Sequence, residues 1–268
     1  MKDQVIGKIY QTTDYDKFKR LKGNRDVSRS GKVVESIEKV GYILSPILVN
    51  ENFEVIDGQN RLQAVKELKL PVKYMVQPGI GIDECRALNI NQSNWSTEQF
   101  IASYAENGYS SYERLYSLIR DFKGKGFSLE GILLLTSPHL IQNGAGTHYG
   151  AVKTGEYKLS DERYDFARNR LASCMALGFV DFKDKYDMLG RTYWGAVSYA
   201  YEHREVNIKA LARKMFENPK EIISVSKVSD QLRYFEDAYN KGVRATNKVY
   251  MSTDFLKRKY ITGKEYKA

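Results

Sequence analysis

Two cysteines, Cys85 and Cys174, and three histidines, His139, His148 and His203, are all that 268 residues provide of soft metal ligands. Two thiols cannot build a disulfide framework, and histidines this far apart give no zinc spacing. No window approaches the roughly 18–20 continuous apolar residues of a membrane span. The opening residues, MKDQVIGKIYQTTDYDKFKR, reach charge before any apolar stretch of the kind a secretory signal needs, so a cytoplasmic location is expected. Ser/Gly-rich linkers, low-complexity tracts and internal repeats are missing as well. Hydrolytic signatures are equally scarce: there is no Ser-His-Asp order and no metalloprotease helix. The paired carboxylates Asp161-Glu162 and Glu236-Asp237 are adjacent, so they diverge on a helix. No catalytic residue and no metal site is assigned.

Acid is also short. Forty-two Lys and Arg stand against 33 Asp and Glu, a net charge of +9, which favours a polyanionic partner and puts nucleic acid first. From Tyr201 to Ala268 the basic surplus is six, so much of the charge is C-terminal. The chain has 20 tyrosines and two tryptophans. Such rings stack on bases in single-strand binders, but they serve ordinary cores more often, and the core role is expected for most of them.

The hydrophobic spacing divides the chain into an α+β N-terminal domain over residues 1–95 and an all-helical region over 96–268. A strand is expected over Val5–Tyr10, followed by a basic connector. Val33, Val34, Ile37 and Val40 recur at helical spacing and Gly41 stops the helix. Pro46–Val49 and Phe53–Ile56, joined by Asn50-Glu51-Asn52, read as a hairpin. Leu62, Ala64, Val65 and Leu68 mark a second helix, and Val72–Val76 a third strand. Beyond Pro78 the expected helices are Ile82–Leu88, Ser96–Glu106 with a Ser96/Gln99 capping box, Tyr112–Phe122, and Phe127–Leu135 behind a Ser128 cap. Then come Asp161–Leu177, Tyr193–Met215 and Val228–Asn240, while the Gly-rich stretch Thr136–Thr154 reads as partly irregular.

Asp57-Gly58-Gln59-Asn60-Arg61 carries the clearest chemistry. A glycine between a strand and a helix brings backbone N–H groups and the positive end of the helix dipole to one point, where an anion can be held. Gly58 permits close approach, Gln59 and Asn60 offer amide donors, and an exposed Arg61 can grip a phosphate with two hydrogen bonds.

The ordered run Ser36-Ile37, Gly41, Ser45-Pro46-Ile47-Leu48-Val49, Val55 through Ala64, Leu68 and Pro71-Val72 resembles the N-terminal domain of the ParB family, whose superfamily also holds sulfiredoxin. The resemblance spans roughly Val5–Ser96 and implies a ParB/sulfiredoxin-like fold. In ParB proteins the glycine loop is typically Gly-Glu-Arg-Arg and contacts the phosphates of CTP; here Gly58 and Arg61 match while Gln59 and Asn60 replace the middle pair. A second ParB segment, Glu-Asn-x-x-Arg, falls on Leu88–Gln92, keeping Asn89 but losing the acid to Leu88 and the arginine to Gln92. The loop is closest to the Asp-Gly-Gln-x-Arg variants of phage and mobile-element ParB-like proteins. Sulfiredoxin is disfavoured, since no cysteine lies between Asp57 and Arg61. The resemblance implies Gly58, Gln59, Asn60, Arg61 and Asn89 as nucleotide or phosphate contacts, with CTP or another nucleotide and magnesium as cofactor.

In ParB relatives a helix-turn-helix follows the first domain, and here a variant of it is expected within about 112–160. Asn143, Thr147, His148 and Lys153 then reach a base or phosphate edge. Basic residues gather at Lys17, Lys19, Arg20, Lys22, Arg25, Arg29 and Lys32, and again at Lys257, Arg258 and Lys259. Of these, Arg25, Lys257, Arg258 and Lys259 are taken as DNA-backbone contacts. Val228, Leu232, Phe235 and Tyr239 form a helical stripe suited to a homodimer or to intramolecular packing. The expected function is therefore non-enzymatic DNA binding of a partition or regulatory type, phage or plasmid encoded, with no membrane partner. A ParB-like nuclease or nucleotide-using phosphotransferase is the enzymatic alternative, with Asp57 and Glu35 or Glu38 around a metal. A protein-interaction factor without DNA binding is the third.

Overall fold

The computed structural model describes residues 6–27, 30–43, 45–92, 95–136, 146–219 and 222–257. Backbone contacts divide the chain into two compact units, Met1–Tyr109 and Ser110–Ala268. No helix among the described residues is long and apolar enough to cross a membrane.

The first unit is a mixed α+β structure around a five-stranded sheet. Its strands are β1 (Ile9–Thr12), β2 (Lys19–Arg20), β3 (Ile47–Val49), β4 (Glu54–Asp57) and β5 (Val72–Val76), in spatial order β1-β5-β3-β4-β2. The hairpin of β3 and β4 is antiparallel, pairing Leu48 with Asp57. β5 runs parallel to β3 and antiparallel to β1, while β2 runs parallel to β4. The first strand falls at Ile9–Thr12, later than the expected Val5–Tyr10. There its four residues match β5 from Met75 back to Val72. β2 was not expected, because Lys19 and Arg20 carry none of the β-branched or aromatic character that marks a strand.

Ile47, Val49, Val55, Val65, Val72 and Tyr74 form the core of this unit, joined at its edge by Ile37, Tyr42 and Leu62. Helices α1 (Ser30–Val40) and α2 (Gln59–Glu67) supply Ile37, Leu62 and Val65. The alternation along β3 leaves Leu48 on the opposite face, toward α3 (Ile82–Gln92). Helix α4 (Thr97–Glu106) opens with the expected capping box, with Ser96 and Gln99 each satisfying the other's backbone N–H. Buried Arg86 ties α3 to α4, donating to Ser103 Oγ at 3.1 Å and lying 3.8 Å over the Tyr104 ring.

The second unit is assembled from helices: α5 (Ser110–Phe122), α6 (Leu129–Thr136), α7 (Gly146–Thr154), α8 (Asp161–Ala176), α9 (Phe179–Lys185), α10 (Gly190–Glu202), α11 (Ile208–Glu217), α12 (Val228–Asn240) and α13 (Met251–Leu256). Ser128 accepts the Gly131 N–H at 3.1 Å, as a cap should. The single helix expected over Tyr193–Met215 is two. His203 leaves helical geometry with φ −75° and ψ 119°, and Asn207 caps a new helix by accepting the Ala210 N–H at 3.0 Å. Part of the stretch expected to be irregular is helix α7, pinned by the Tyr112 hydroxyl, which donates to the Ala151 and Val152 carbonyls at 3.0 Å. Tyr193, Trp194, Phe179, Phe182 and Phe235 are fully buried, so the aromatic content of this unit is largely core. Two residues of the Val228–Tyr239 stripe are spent the same way: Leu232 and Phe235 are inaccessible, and Phe235 meets Tyr193 edge-on at 5.8 Å, while Val228 and Tyr239 stay half-buried.

Candidate functional site

β4 ends at Asp57, and Gly58 reverses the chain with φ 98° and ψ 20°, a left-handed conformation in which a side chain is strained. Space demands glycine too, since a Cβ here would lie 2.6 Å from Ile47 Cγ2. Helix α2 starts at Gln59 with no side chain capping its N-terminus, and its first backbone bond is Leu62 N–H to Gly58 O at 2.8 Å. The N–H groups of Gln59, Asn60 and Arg61 therefore precede the intrahelical ladder, where the positive end of the dipole is felt most strongly.

These residues line a pocket of about 270 Å³ together with Arg25, Val33 and Asp57. Gln59 Nε2 is buried with no hydrogen-bond partner among the described residues, a donor that lacks an acceptor. Arg61 is half-buried rather than exposed, because Nη1 folds back to donate to the Pro46 carbonyl at 3.0 Å.

A network that sequence reasoning missed brings Arg25 to this place. Buried Asn24 donates through Nδ2 to the Val55 carbonyl at 2.9 Å, tying the connector to β4, and its Oδ1 accepts the Arg25 N–H at 2.9 Å. Arg20 donates to the Asn24 carbonyl at 2.8 Å and to both oxygens of Glu106, at 2.8 and 3.2 Å. That pairing holds the Glu106 carboxyl below its usual range and raises the Arg20 guanidinium. Arg20 is thus committed to structure. So is Lys17, which donates to the Tyr74 hydroxyl at 2.8 Å and sits 4.2 Å over that ring and 4.5 Å over Phe53.

Asn89 does not reach the pocket. Its Nδ2 turns back to the Cys85 carbonyl at 2.7 Å within α3, and it is 7% exposed. Cys85 Sγ in turn donates to the Ile56 carbonyl at 3.3 Å, and burial, with nearby Asp57, pushes its thiol up to about 12. A larger and mostly apolar cavity of about 470 Å³ lies between β3, β4 and α3, lined by Leu48, Ile56, Gln77, Ile80, Glu84, Ala87 and Leu88. Its one carboxylate, Glu84, accepts the Gly81 N–H at 2.8 Å, which keeps that carboxyl below its usual range. Of the two cavities, only the smaller one gathers guanidinium groups at an open helix end.

The remaining expected contacts belong to the second unit. Lys153 is half-buried in the last turn of α7, and Thr147 and His148 lie on the backbone of the same helix. Lys257 is exposed at the end of α13. Asn143, Arg258 and Lys259 lie outside the described residues. Among the described residues no three His, Cys, Asp or Glu side chains stand together as a metal-ligand set.

No family model and no curated protein matches the chain. A solved structure of a Pnob8-like ParB-N domain aligns with 87% of this chain and 99% of its own, at 14% identity and a TM-score of 0.34. A likeness at that level carries no argument about fold or function.

Proposed function

We propose that the protein is a DNA-binding protein of the ParB-like kind, of a partition or regulatory type, in which the Gly58–Arg61 turn holds the phosphates of a nucleotide. The observation that carries this reading is the open N-terminus of α2. No side chain caps that helix start, and Gln59, whose Nε2 has no hydrogen-bond partner among the described residues, lines a pocket with Gly58, Arg25 and Arg61. Helix N-termini of this kind accept phosphate readily, and guanidinium groups add charge-assisted hydrogen bonds. The ParB-like run of residues from Ser36 to Val72 and the net charge of +9 support the DNA half of the reading.

Asp57 lines the same pocket and is the carboxylate available to a magnesium ion carried by a nucleotide. A nuclease would need more acid there, and neither Glu35 nor Glu38 lines it. The reading is therefore nucleotide binding rather than hydrolysis.

Calorimetric titration with CTP, ATP and GTP tests it. The expected result is saturable heat with at least one of them, weakened about tenfold or more by Arg25→Ala, the loss of one charge-assisted contact. Absence of heat and of competition for all three removes the reading.

A further inference from the structure

Helix α12 ends at Asn240 and α13 begins at Met251. Between Lys241 and Thr253 the sequence holds Lys241, Arg244 and Lys248 and no acidic residue. Elsewhere in this unit several guanidinium groups are matched: Arg114 with Asp161, Arg168 with Asp121, Arg191 with Glu130 and Arg213 with Glu217. Arg244 and Lys248 are exposed and form no ion pair among the described residues.

This loop is held at its base. Asn240 Nδ2 donates to the Val249 carbonyl at 2.7 Å, and the Val249 N–H donates to Asn240 Oδ1 at 2.9 Å, so one side chain closes the excursion. From α11, Lys214 Nζ donates to the carbonyls of Tyr239 and Lys241, placing an ammonium where the C-terminus of α12 is most negative. Gly242 turns the chain at φ 74°, and Asn247 N–H bonds the Arg244 carbonyl at 2.9 Å to close the 3₁₀ turn Ala245–Asn247. Arg244, Ala245, Thr246, Asn247 and Lys248 are all exposed, and Tyr250, just beyond, is 51% exposed.

We propose that the loop 241–248 is a preformed contact surface for the phosphodiester backbone of nucleic acid, with Tyr250 beside it as a ring on which an unpaired base stacks. The inference rests on the DNA-binding reading above. A backbone already fixed by hydrogen bonds loses little freedom on binding, so the charge of Arg244 and Lys248 is realised as affinity. Small and polar residues between them, Ala245, Thr246 and Asn247, let a phosphate approach closely. A lipid surface fits less well: Val243 is half-buried and Val249 buried, which leaves the single Tyr250 ring as the exposed apolar surface beside the loop.

The test uses the full chain with a labelled random duplex and the corresponding single strand, titrated across salt concentrations. Arg244→Ala with Lys248→Ala should weaken duplex binding about tenfold or more. It should also flatten the slope of log affinity against log salt by about 1.8, two phosphate contacts at about 0.9 each. Arg244→Lys with Lys248→Arg should keep the slope, and Tyr250→Ala should weaken the single strand more than the duplex. Arg244→Gln with Lys248→Gln serves as a second neutral pair if the alanine pair fails to fold. Neutral variants with unchanged affinity and slope, beside a wild type that binds, overturn the inference and leave the DNA reading standing. A wild type that binds neither probe at low salt overturns both. Binding to phosphatidylserine vesicles that the neutral pair abolishes, with none to nucleic acid, reassigns the loop to a membrane surface.

Discussion

Arg61 Nη1 donates to the carbonyl of Pro46 at 3.0 Å, and a Cβ on Gly58 would come within 3.1 Å of that same nitrogen. The guanidinium therefore does two things at once: it fixes the entry to β3 and forms a wall of the pocket at the start of α2. Arg61→Ala leaves a half-buried carbonyl without its donor, so a loss of stability of about 1–3 kcal/mol should accompany any loss of ligand binding. Arg25 is placed through its backbone, whose N–H donates to Asn24 Oδ1 at 2.9 Å. Denaturant unfolding of both alanine variants should show the Arg61 variant the less stable.

Acid should weaken the second unit through His203. The ring is buried, its Nδ1 accepts the Glu205 N–H at 3.4 Å, and Nε2 lies 3.5 Å from Asp254. Burial lowers its pKa, opposed by Asp254, Glu205 and Glu236. A histidine depressed below about 6.5 contributes full stability above that pH, where both states are neutral. As pH falls below it the unfolded chain takes up the proton first, and the contribution is lost down through the folded pKa. The urea midpoint of wild type should fall over that window, and His203→Gln should flatten the fall.

Gly131→Ala sets two effects against each other. Alanine is the better helix former by about 1 kcal/mol. Its Cβ, however, would lie 2.5 Å from Trp194 Cδ1 and 2.9 Å from Nε1, and Trp194 is itself stacked on Phe127 at 4.7 Å. Overpacking of this kind costs about 1–3 kcal/mol, so the variant should be destabilised on balance. Thermal denaturation checks this, and a raised midpoint would mean that α6 and α10 can separate freely.

The parts of the fold legible in the sequence were those with local causes. The Ser96/Gln99 box, the Ser128 cap, the β3–β4 hairpin and the helix over Val228–Asn240 all follow from spacing and capping chemistry, and they stand where expected. Long-range causes were hidden. Asn24 matters because it reaches Val55, 31 residues on, and nothing beside it announces that. Lys17 and Arg20 read as free basic charge, yet one is enclosed by Phe18, Phe53 and Tyr74 and the other is paired with Glu106. The break at His203–Asn207 was missed because apolar spacing continues across it, although Asn207 itself was a readable cap. At the candidate site, Asp57 to Arg61 was visible as a strand-glycine-helix junction. The inward fold of Arg61 and the arrival of Arg25 depended on tertiary structure.

Backbone amide spectra of isotopically labelled protein, recorded during titration with CTP, ATP and GTP, test phosphate binding at the turn most directly. If the N-terminus of α2 receives the phosphates, the largest shifts on saturation should fall on the N–H groups of Gln59, Asn60 and Arg61 and on the Gln59 side-chain amide. Saturable binding that leaves those four groups unmoved, or no binding of any of the three nucleotides, would contradict it.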